Sequence, residues 1–147
     1  MSYRGRDGGG APRQPAPEAD LQRIIQREDY ESAAALVKTA EQWGGYLKDN
    51  KLKTSQIRTI FASVRQIEML WPVNAPDSAD ARSAMTQLVL LKPKLAYQAG
   101  RTEEVKPLAD LLTRAIDLVG EDRANFQRFM DFFEAILAYH KAKGGMD

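Results

Sequence analysis

The chain has 147 residues, 44% of them hydrophobic and 28% charged, and this length and balance predict one globular domain with its own core. It contains no cysteine, which excludes structural disulfides, thiolate catalysis and cysteine-ligated zinc and makes a reducing cytoplasm the expected location. The net charge of +1 argues against strong autonomous binding of nucleic acid, although it allows a local basic face.

Residues 1 to 18 are rich in glycine and proline and predict a flexible, solvated tail that cannot bury enough apolar surface to fold. The segment Arg4-Gly5-Arg6 has some likeness to RNA-binding segments, but solvation is the favoured interpretation. No apolar stretch indicates a secretory signal, and the longest one, around Leu88 to Leu91, is far too short to span a bilayer. The helical domain is therefore expected over residues 19 to 147, with no membrane contact.

Three helices are predicted in the first half of this domain. Asp20 is expected to cap a short first helix, the second begins at about Tyr30, and Thr54 or Ser55 is expected to cap the third. The Gly44-Gly45 pair is expected to fray or tighten the end of the second helix. The apolar stripes, which have the helical period, are Leu21, Ile24 and Ile25; Ala33, Leu36, Val37, Ala40, Trp43 and Leu47; and Ile57, Ile60, Phe61, Val64, Ile67 and Trp71.

Three further helices follow. Asp77 or Ser78 is expected to cap the fourth, which Pro93 should kink rather than end and Gly100 should close; Thr102 opens the fifth. Their apolar stripes are Met85, Leu88 and Leu91; Val105, Leu108, Leu112, Ala115 and Val119; and Phe126, Phe129, Met130, Phe133, Ile136 and Leu137. Because no segment alternates with period two, the predicted fold class is all-α, a compact bundle of five to six helices with a disordered N-terminal tail.

The sequence contains no glycine-rich phosphate loop, zinc-protease motif or calcium loop, and we predict a non-catalytic protein without cofactor or metal. The acid pairs Glu103-Glu104 and Glu121-Asp122 lie at helix starts, where carboxylates interact favourably with the helix dipole. His140 falls on the face of the core phenylalanines, and we interpret it as a packed or hydrogen-bonded neighbour of the core. An enzyme would require one acid pair and His140 to converge in a pocket.

The aromatic residues of the last helix allow two interpretations. The run of Phe126, Phe129, Phe132 and Phe133 has the composition of a base-stacking platform, but its spacing is that of a buried stripe, and the core is favoured. Phe132 and Tyr139 lie off the main stripe, and we expect them to be available to a partner.

The basic residues form three clusters in the sequence. Lysines before the third helix make its N-terminus a possible anion site, because free N–H groups and positive charge point in the same direction. From spacing alone, however, solvated charge is the better explanation of every cluster. The clusters are Lys51, Lys53, Arg58 and Arg65; Lys92, Lys94 and Arg101; and Arg128, Lys141 and Lys143.

Three segments carry a family resemblance. They are Lys53-Thr-Ser-Gln-Ile-Arg58, Leu91-Lys-Pro-Lys-Leu-Ala-Tyr-Gln-Ala-Gly-Arg101 and Phe133-Glu-Ala-Ile-Leu-Ala-Tyr-His-Lys-Ala-Lys-Gly-Gly145. Their amino-acid sequences and their order along the chain resemble those of the small subunit of type III-A CRISPR–Cas effector complexes, the Csm small-subunit family. The resemblance covers roughly residues 30 to 147 and does not extend to the tail.

The resemblance implies a helical bundle without enzymatic activity, of which several copies stack beside the large subunit and the backbone subunits and contact target RNA paired to guide RNA. Guide pairing reads the sequence, so such a subunit needs only to hold phosphates and read duplex shape. The predicted RNA-binding residues, expected to converge on one face near Gln56, Tyr97 and Gln98, are Lys53, Arg58, Lys94, Arg101, Arg128 and Lys141. The alternative is a helical protein-interaction scaffold without nucleic-acid contact, whose basic residues are merely solvated.

Overall fold

The structure is a computed structural model that describes residues 14–15 and 18–147. Most of the tail predicted for residues 1 to 18, including Arg4-Gly5-Arg6, lies outside the described residues. Within them the chain forms helices and no strand, as predicted, and none of the described helices is long and apolar enough to cross a membrane. The elements are α1 (Glu18–Gln26), α2 (Tyr30–Asp49), α3 (Thr54–Leu70), α4 (Ala79–Arg101), a 3₁₀ turn (Glu103–Val105), α5 (Lys106–Val119) and α6 (Arg123–Ala142).

Two helix ends follow the local signals in the sequence. Ser78 caps α4, since its hydroxyl accepts a hydrogen bond from the Ala81 N–H at 3.1 Å. Gly120 ends α5 with a φ of +59°, a conformation that glycine adopts at little cost. Pro93 lies inside α4, which continues past it to Arg101, as expected from the apolar spacing.

Three predicted helix ends are wrong. Asp20 does not cap α1, because that helix already begins at Glu18. Neither Thr54 nor Ser55 caps α3: the capping residue is Lys53, whose N–H donates to the Gln56 side chain at 2.8 Å. The predicted closing glycine of α4, Gly100, lies inside the helix and does not have a positive φ.

The helix α6 lies at the centre of the bundle and packs against α1, α2, α3 and α5, whereas α4 packs on the outside against α3 and α5. Its phenylalanines form the core as predicted, with Phe126 tilted 5.0 Å from Trp71 and Phe133 edge-on at 5.1 Å from Phe61. The expectation that Phe132 is open to a partner is wrong, because neighbouring helices cover α6 on several sides and the ring is fully buried.

The helices α2 and α6 run side by side in the same direction. Glu28, just before α2, pairs with Arg128 near the start of α6, and Gly44 meets the backbone of Tyr139 and His140 near its end. A Cβ on Gly44 would lie 2.6 Å from the His140 nitrogen, so glycine permits this close approach. Because α2 continues to Asp49, past both Gly44 and Gly45, the expectation that this pair frays or tightens its end is wrong.

The predicted apolar stripe of α2 is correct only in its C-terminal half. Ala40, Trp43 and Leu47 are buried, but Val37 is 47% exposed and Ala33 is also exposed. The polar residues Ser32 and Thr39 are buried in place of the exposed members of the stripe. The face that α2 turns toward the core is thus determined by its close contact with α6 and not by its most apolar stripe.

Candidate nucleic-acid interface

The chain after α6 folds back over the start of α3. Gly144 turns the backbone with a φ of +98°, and the Gly145 N–H donates to the His140 carbonyl at 2.8 Å. The next residue, Met146, accepts a hydrogen bond from the Thr54 N–H at 2.6 Å. These contacts bring basic residues from α3 and α6, which are more than 80 positions apart in the sequence, to one end of the bundle.

His140 fastens this junction from inside. Its side chain is fully buried, with Nε2 2.6 Å from the Leu52 carbonyl and Nδ1 3.4 Å from the Thr54 hydroxyl. Because a carbonyl only accepts, Nε2 carries the hydrogen. Burial lowers the pKa of His140, the Leu52 hydrogen bond opposes the shift, and the charge of Lys141 adds to it. The interpretation as a hydrogen-bonded core neighbour is confirmed.

Three of the six predicted cations surround this junction, and we name Lys53, Arg58 and Lys141 the cationic corner. All three residues are exposed to solvent. The Lys141 ammonium lies 2.9 Å from the Asp147 carboxylate and 3.3 Å from the Gly145 carbonyl. Hydrogen bonding by Lys141 lowers the pKa of Asp147, and the positive charges of Lys141 and Arg58 lower it further, which places Arg58 near the same carboxylate.

The anion site expected at the backbone start of α3 is already partly filled by the chain itself. The Met146 carbonyl occupies the Thr54 N–H, and the Gln56 side chain occupies the Lys53 N–H. Two of the N–H groups that would face an anion are therefore satisfied. Attraction for phosphate at this end of the bundle must come mainly from the side chains of the cationic corner.

Two more predicted cations, Lys94 and Arg101, lie on the neighbouring helix α4. Thr59 and Ser63, in the first part of α3, line a groove with residues between 91 and 98, in the last part of α4, and the short segment 71–78 joins the opposite ends of the two helices, so the helices run in opposite directions. The end of α4 that carries Arg101 therefore lies at the level of the start of α3. The Arg101 guanidinium is 5.7 Å from the centre of the Tyr97 ring, within the range of a cation–π contact.

Ion pairing separates the basic residues into two groups. In the part of the chain that the structure describes, no acidic side chain pairs with Lys53, Arg58, Lys94 or Arg101. Three other members of the sequence clusters do have acidic partners, since Arg65 pairs with Glu68, Lys92 with Asp117, and Lys143 with Glu41, whereas Lys51 has none in the described residues. Among the six predicted residues, the four without such partners are better able to attract phosphate than the two that have one.

Arg128, the sixth predicted residue, lies apart from the other five. Its guanidinium donates to the Ile25 carbonyl at 2.8 Å and the Asn125 side chain at 2.7 Å, and lies 3.3 Å from the Glu28 carboxylate. Arg128 precedes Lys141 by 13 residues, which is about 20 Å along the axis of α6. The six residues therefore do not share one face, because Arg128 holds the junction of α1 and α2 at the other end of α6.

Comparison with known proteins identifies the family. The family model described as Csm2 Type III-A matches residues 30–146. The chain belongs to this family. It is 32% identical over 107 residues to a curated protein of Streptococcus thermophilus named "CRISPR system Cms protein Csm2", and the alignment covers 68% of this chain and 83% of that protein. No solved structure matches the chain.

Membership of the Csm2 family makes the chain a small subunit of a type III-A CRISPR complex and implies other Csm subunits as its partners. The family match begins at α2 and includes all six predicted cations, whereas α1 precedes it. The resemblance read from the three sequence segments is thus confirmed.

Two residues of this Csm2-family surface were missed in the sequence. Thr59 and Ser63 supply the polar part of the α3 side of the groove, one helical turn apart and close to the predicted Arg58. Their spacing on the polar side of α3 was a usable signal, but nothing in the sequence showed that α4 lies against it. Which polar face of a helix borders a groove depends on the partner helix.

Proposed function

We propose that this Csm2-family subunit contacts target RNA paired to guide RNA through the cationic corner together with Lys94 and Arg101 of α4. The observation that carries the proposal is the grouping of cations on α3, α4 and the end of α6, four of them without an acidic partner in the described residues. Such side chains hold phosphates without reading bases. Arg128, whose guanidinium is engaged elsewhere, is left out of the proposed face.

The small net charge fits a subunit that acts in several copies. With a formal charge of +1, one copy supplies only a few phosphate contacts. If several copies stack along the complex beside the backbone and large subunits, weak contacts add up, since each later contact forms within an assembly that already holds the RNA. The isolated chain is then expected to bind RNA weakly and with a strong dependence on salt.

The proposed role is non-catalytic and needs no cofactor. His140, the one histidine, is buried and hydrogen-bonded to Leu52 and Thr54 instead of facing either acid pair. Asp122, a member of one pair, caps α6 by accepting hydrogen bonds from the Ala124 and Asn125 N–H groups. These groups are occupied in holding the fold, and the cytoplasmic location predicted from composition belongs to the same proposal.

The test is to reconstitute the type III-A complex with Arg58→Ala and Arg101→Ala variants and to measure target-RNA affinity at several salt concentrations. Each variant should weaken binding, and the slope of log affinity against log salt should fall by about one unit for each phosphate that the subunit no longer neutralises. The matched control is Arg27→Ala, which removes an exposed arginine between α1 and α2, away from the proposed face.

The control distinguishes the proposal from a general decrease in positive charge. If Arg27→Ala lowers the slope as much as Arg58→Ala, the effect is one of net charge and the proposed face is wrong. If affinity and slope stay unchanged in Arg58→Ala and Arg101→Ala complexes that assemble normally, the subunit is a protein-interaction scaffold without RNA contact.

A further inference from the structure

The groove between α3 and α4 combines an apolar floor with a polar rim, and we refer to it as the α3–α4 groove. Its floor consists of the buried side chains of Ile60, Leu91 and Leu95, and its volume is about 360 Å³. This volume lies near the lower end of the range of roughly 300–1,000 Å³ found for small-ligand pockets. The groove thus offers room for one flat group and not for a helix or a duplex.

The rim carries polar groups whose hydrogen-bonding capacity is not fully occupied within the described residues. Ser63 and Gln98 make no side-chain hydrogen bond within the described residues, and the Thr59 hydroxyl donates to the Ser55 carbonyl, which leaves its oxygen able to accept. Together these groups present both donors and acceptors. A heteroaromatic base carries donors and acceptors on its edge and apolar faces above and below it, which is the pattern that this groove complements.

An exposed aromatic ring and two cations stand at the mouth. Tyr97 is 63% exposed, although a ring of this size gains from burial. The Arg101 guanidinium lies over the Tyr97 ring, and Lys94, one turn before Tyr97 on α4, lines the groove. Neither cation has an acidic partner in the described part of the chain. Charges of this sign favour a ligand with a phosphate over an apolar protein side chain.

We infer that the α3–α4 groove binds a single unstacked nucleotide of the RNA, with its base against Tyr97 and the apolar floor and its phosphates near Lys94 and Arg101. Stacking on an aromatic side chain tolerates any base, because every base has a π-face. The inference rests on the proposed function and deepens it: most of the RNA is held by phosphate contacts, and one unpaired base is held in a pocket.

The experiment compares Tyr97→Ala, Tyr97→Phe and Tyr30→Ala in the reconstituted complex. Tyr30 is 86% exposed at the start of α2 and is the matched control, since its replacement also removes an exposed tyrosine. Tyr97→Ala should weaken target-RNA binding by at least about fivefold without changing the salt slope, because it removes stacking and no charge. Tyr97→Phe should restore the affinity, and Tyr30→Ala should retain it.

A second measurement places the base directly. Target RNA with 4-thiouridine at unpaired positions is irradiated in the assembled complex, and the cross-linked residues of the subunit are mapped. Cross-links at Tyr97 or its groove neighbours are expected. Cross-links elsewhere on the subunit, with none in the groove, would overturn the inference.

The outcomes separate this inference from the proposed function. If Tyr97→Ala retains affinity while Arg58→Ala still lowers the salt slope, the groove binds no base but the phosphate face stands. If Tyr97→Ala prevents the subunit from joining the complex, the groove holds a partner protein and the inference is wrong. If neither Tyr97→Ala nor Arg58→Ala affects binding in an intact complex, both proposals fail.

Discussion

His140 shows how one buried residue links the two distant parts of the sequence that form the cationic corner. Its ring joins α6 to Leu52 and Thr54 at the start of α3, and the turn after α6 closes over the same residue. The position of Lys53 and Arg58 relative to Lys141 therefore depends on a hydrogen-bonded imidazole. Periodicity predicted that His140 lies at the core, but the identity of its partners, 86 and 88 residues away, left no signal in the sequence.

The lowered pKa of His140 predicts a dependence of stability on pH. The unfolded chain binds a proton at this residue below about pH 6.5, whereas the native state does so only at lower pH, so the free energy of unfolding should fall as the pH drops below that value. His140 is the only histidine, and Asp29 and Asp147, whose pKa values are lowered from 3.8, titrate well below this window. Urea denaturation at pH 7, 6 and 5 measures the effect.

The control for this prediction is His140→Gln, in which the change in unfolding free energy between pH 7 and pH 5 should be smaller than in the unchanged chain. Equal pH dependence in the two proteins would show that other groups bind the proton.

At the scale of the elements, breakers and apolar stripes predicted the number of helices and most of their bounds, because these signals act within one helix. All the predicted stripe residues of α3 and α5 are buried apart from the half-buried Phe61, but the stripe prediction for α5 missed three buried residues, Ala109, Leu111 and Ile116. The predictions fail where two helices meet closely. The orientation of α2 and the burial of Phe132 are set by packing around α6, which the pattern of a single helix does not contain.

The close contact of α2 with α6 predicts that a larger residue at position 44 destabilises the protein. Gly44→Ala should lower the free energy of unfolding by about 1–3 kcal/mol, because the new Cβ would lie within 2.6–2.8 Å of Tyr139 and His140 and the helices would have to separate. Thermal or urea denaturation measures this change. The gain in helix propensity from glycine to alanine, about 1 kcal/mol, is too small to offset a larger clash.

Gly100→Ala is the matched control for the packing of Gly44. Gly100 lies inside α4, has no positive φ and has nothing within 4 Å of the position of a new Cβ. This variant should be more stable by roughly 0.5–1 kcal/mol, since alanine restricts the unfolded chain. Equal effects of the two substitutions would contradict the role assigned to Gly44 in helix packing.

At the scale of the whole molecule, the six predicted cations divide between two ends of α6. The charge of these residues is evident in the sequence, but their separate roles are not, because spacing along a helix does not show which neighbours a side chain reaches. The grouping of Lys53, Arg58 and Lys141 requires the chain to fold back through Gly144 and Met146. That long-range return also explains why the Thr54 N–H at the start of α3 is occupied, by the Met146 carbonyl.

Arg128 provides the prediction that distinguishes the two ends of the molecule. Its side chain is only 17% exposed and bonds to the Ile25 carbonyl and the Asn125 side chain, whereas its pairing with the exposed Glu28 contributes little. Arg128→Ala should therefore lower the free energy of unfolding by about 1–3 kcal/mol, because it leaves the part-buried Ile25 carbonyl without its donor. In a complex assembled at a temperature where the variant stays folded, target-RNA affinity and its salt slope should be unchanged.

Arg58→Ala, which removes an exposed side chain, should give the opposite pattern, with stability nearly unchanged and a smaller slope. A smaller slope for Arg128→Ala would return this residue to the RNA-binding face and would mean that its bonds to α1 and to the start of α6 are exchanged for phosphate when RNA binds.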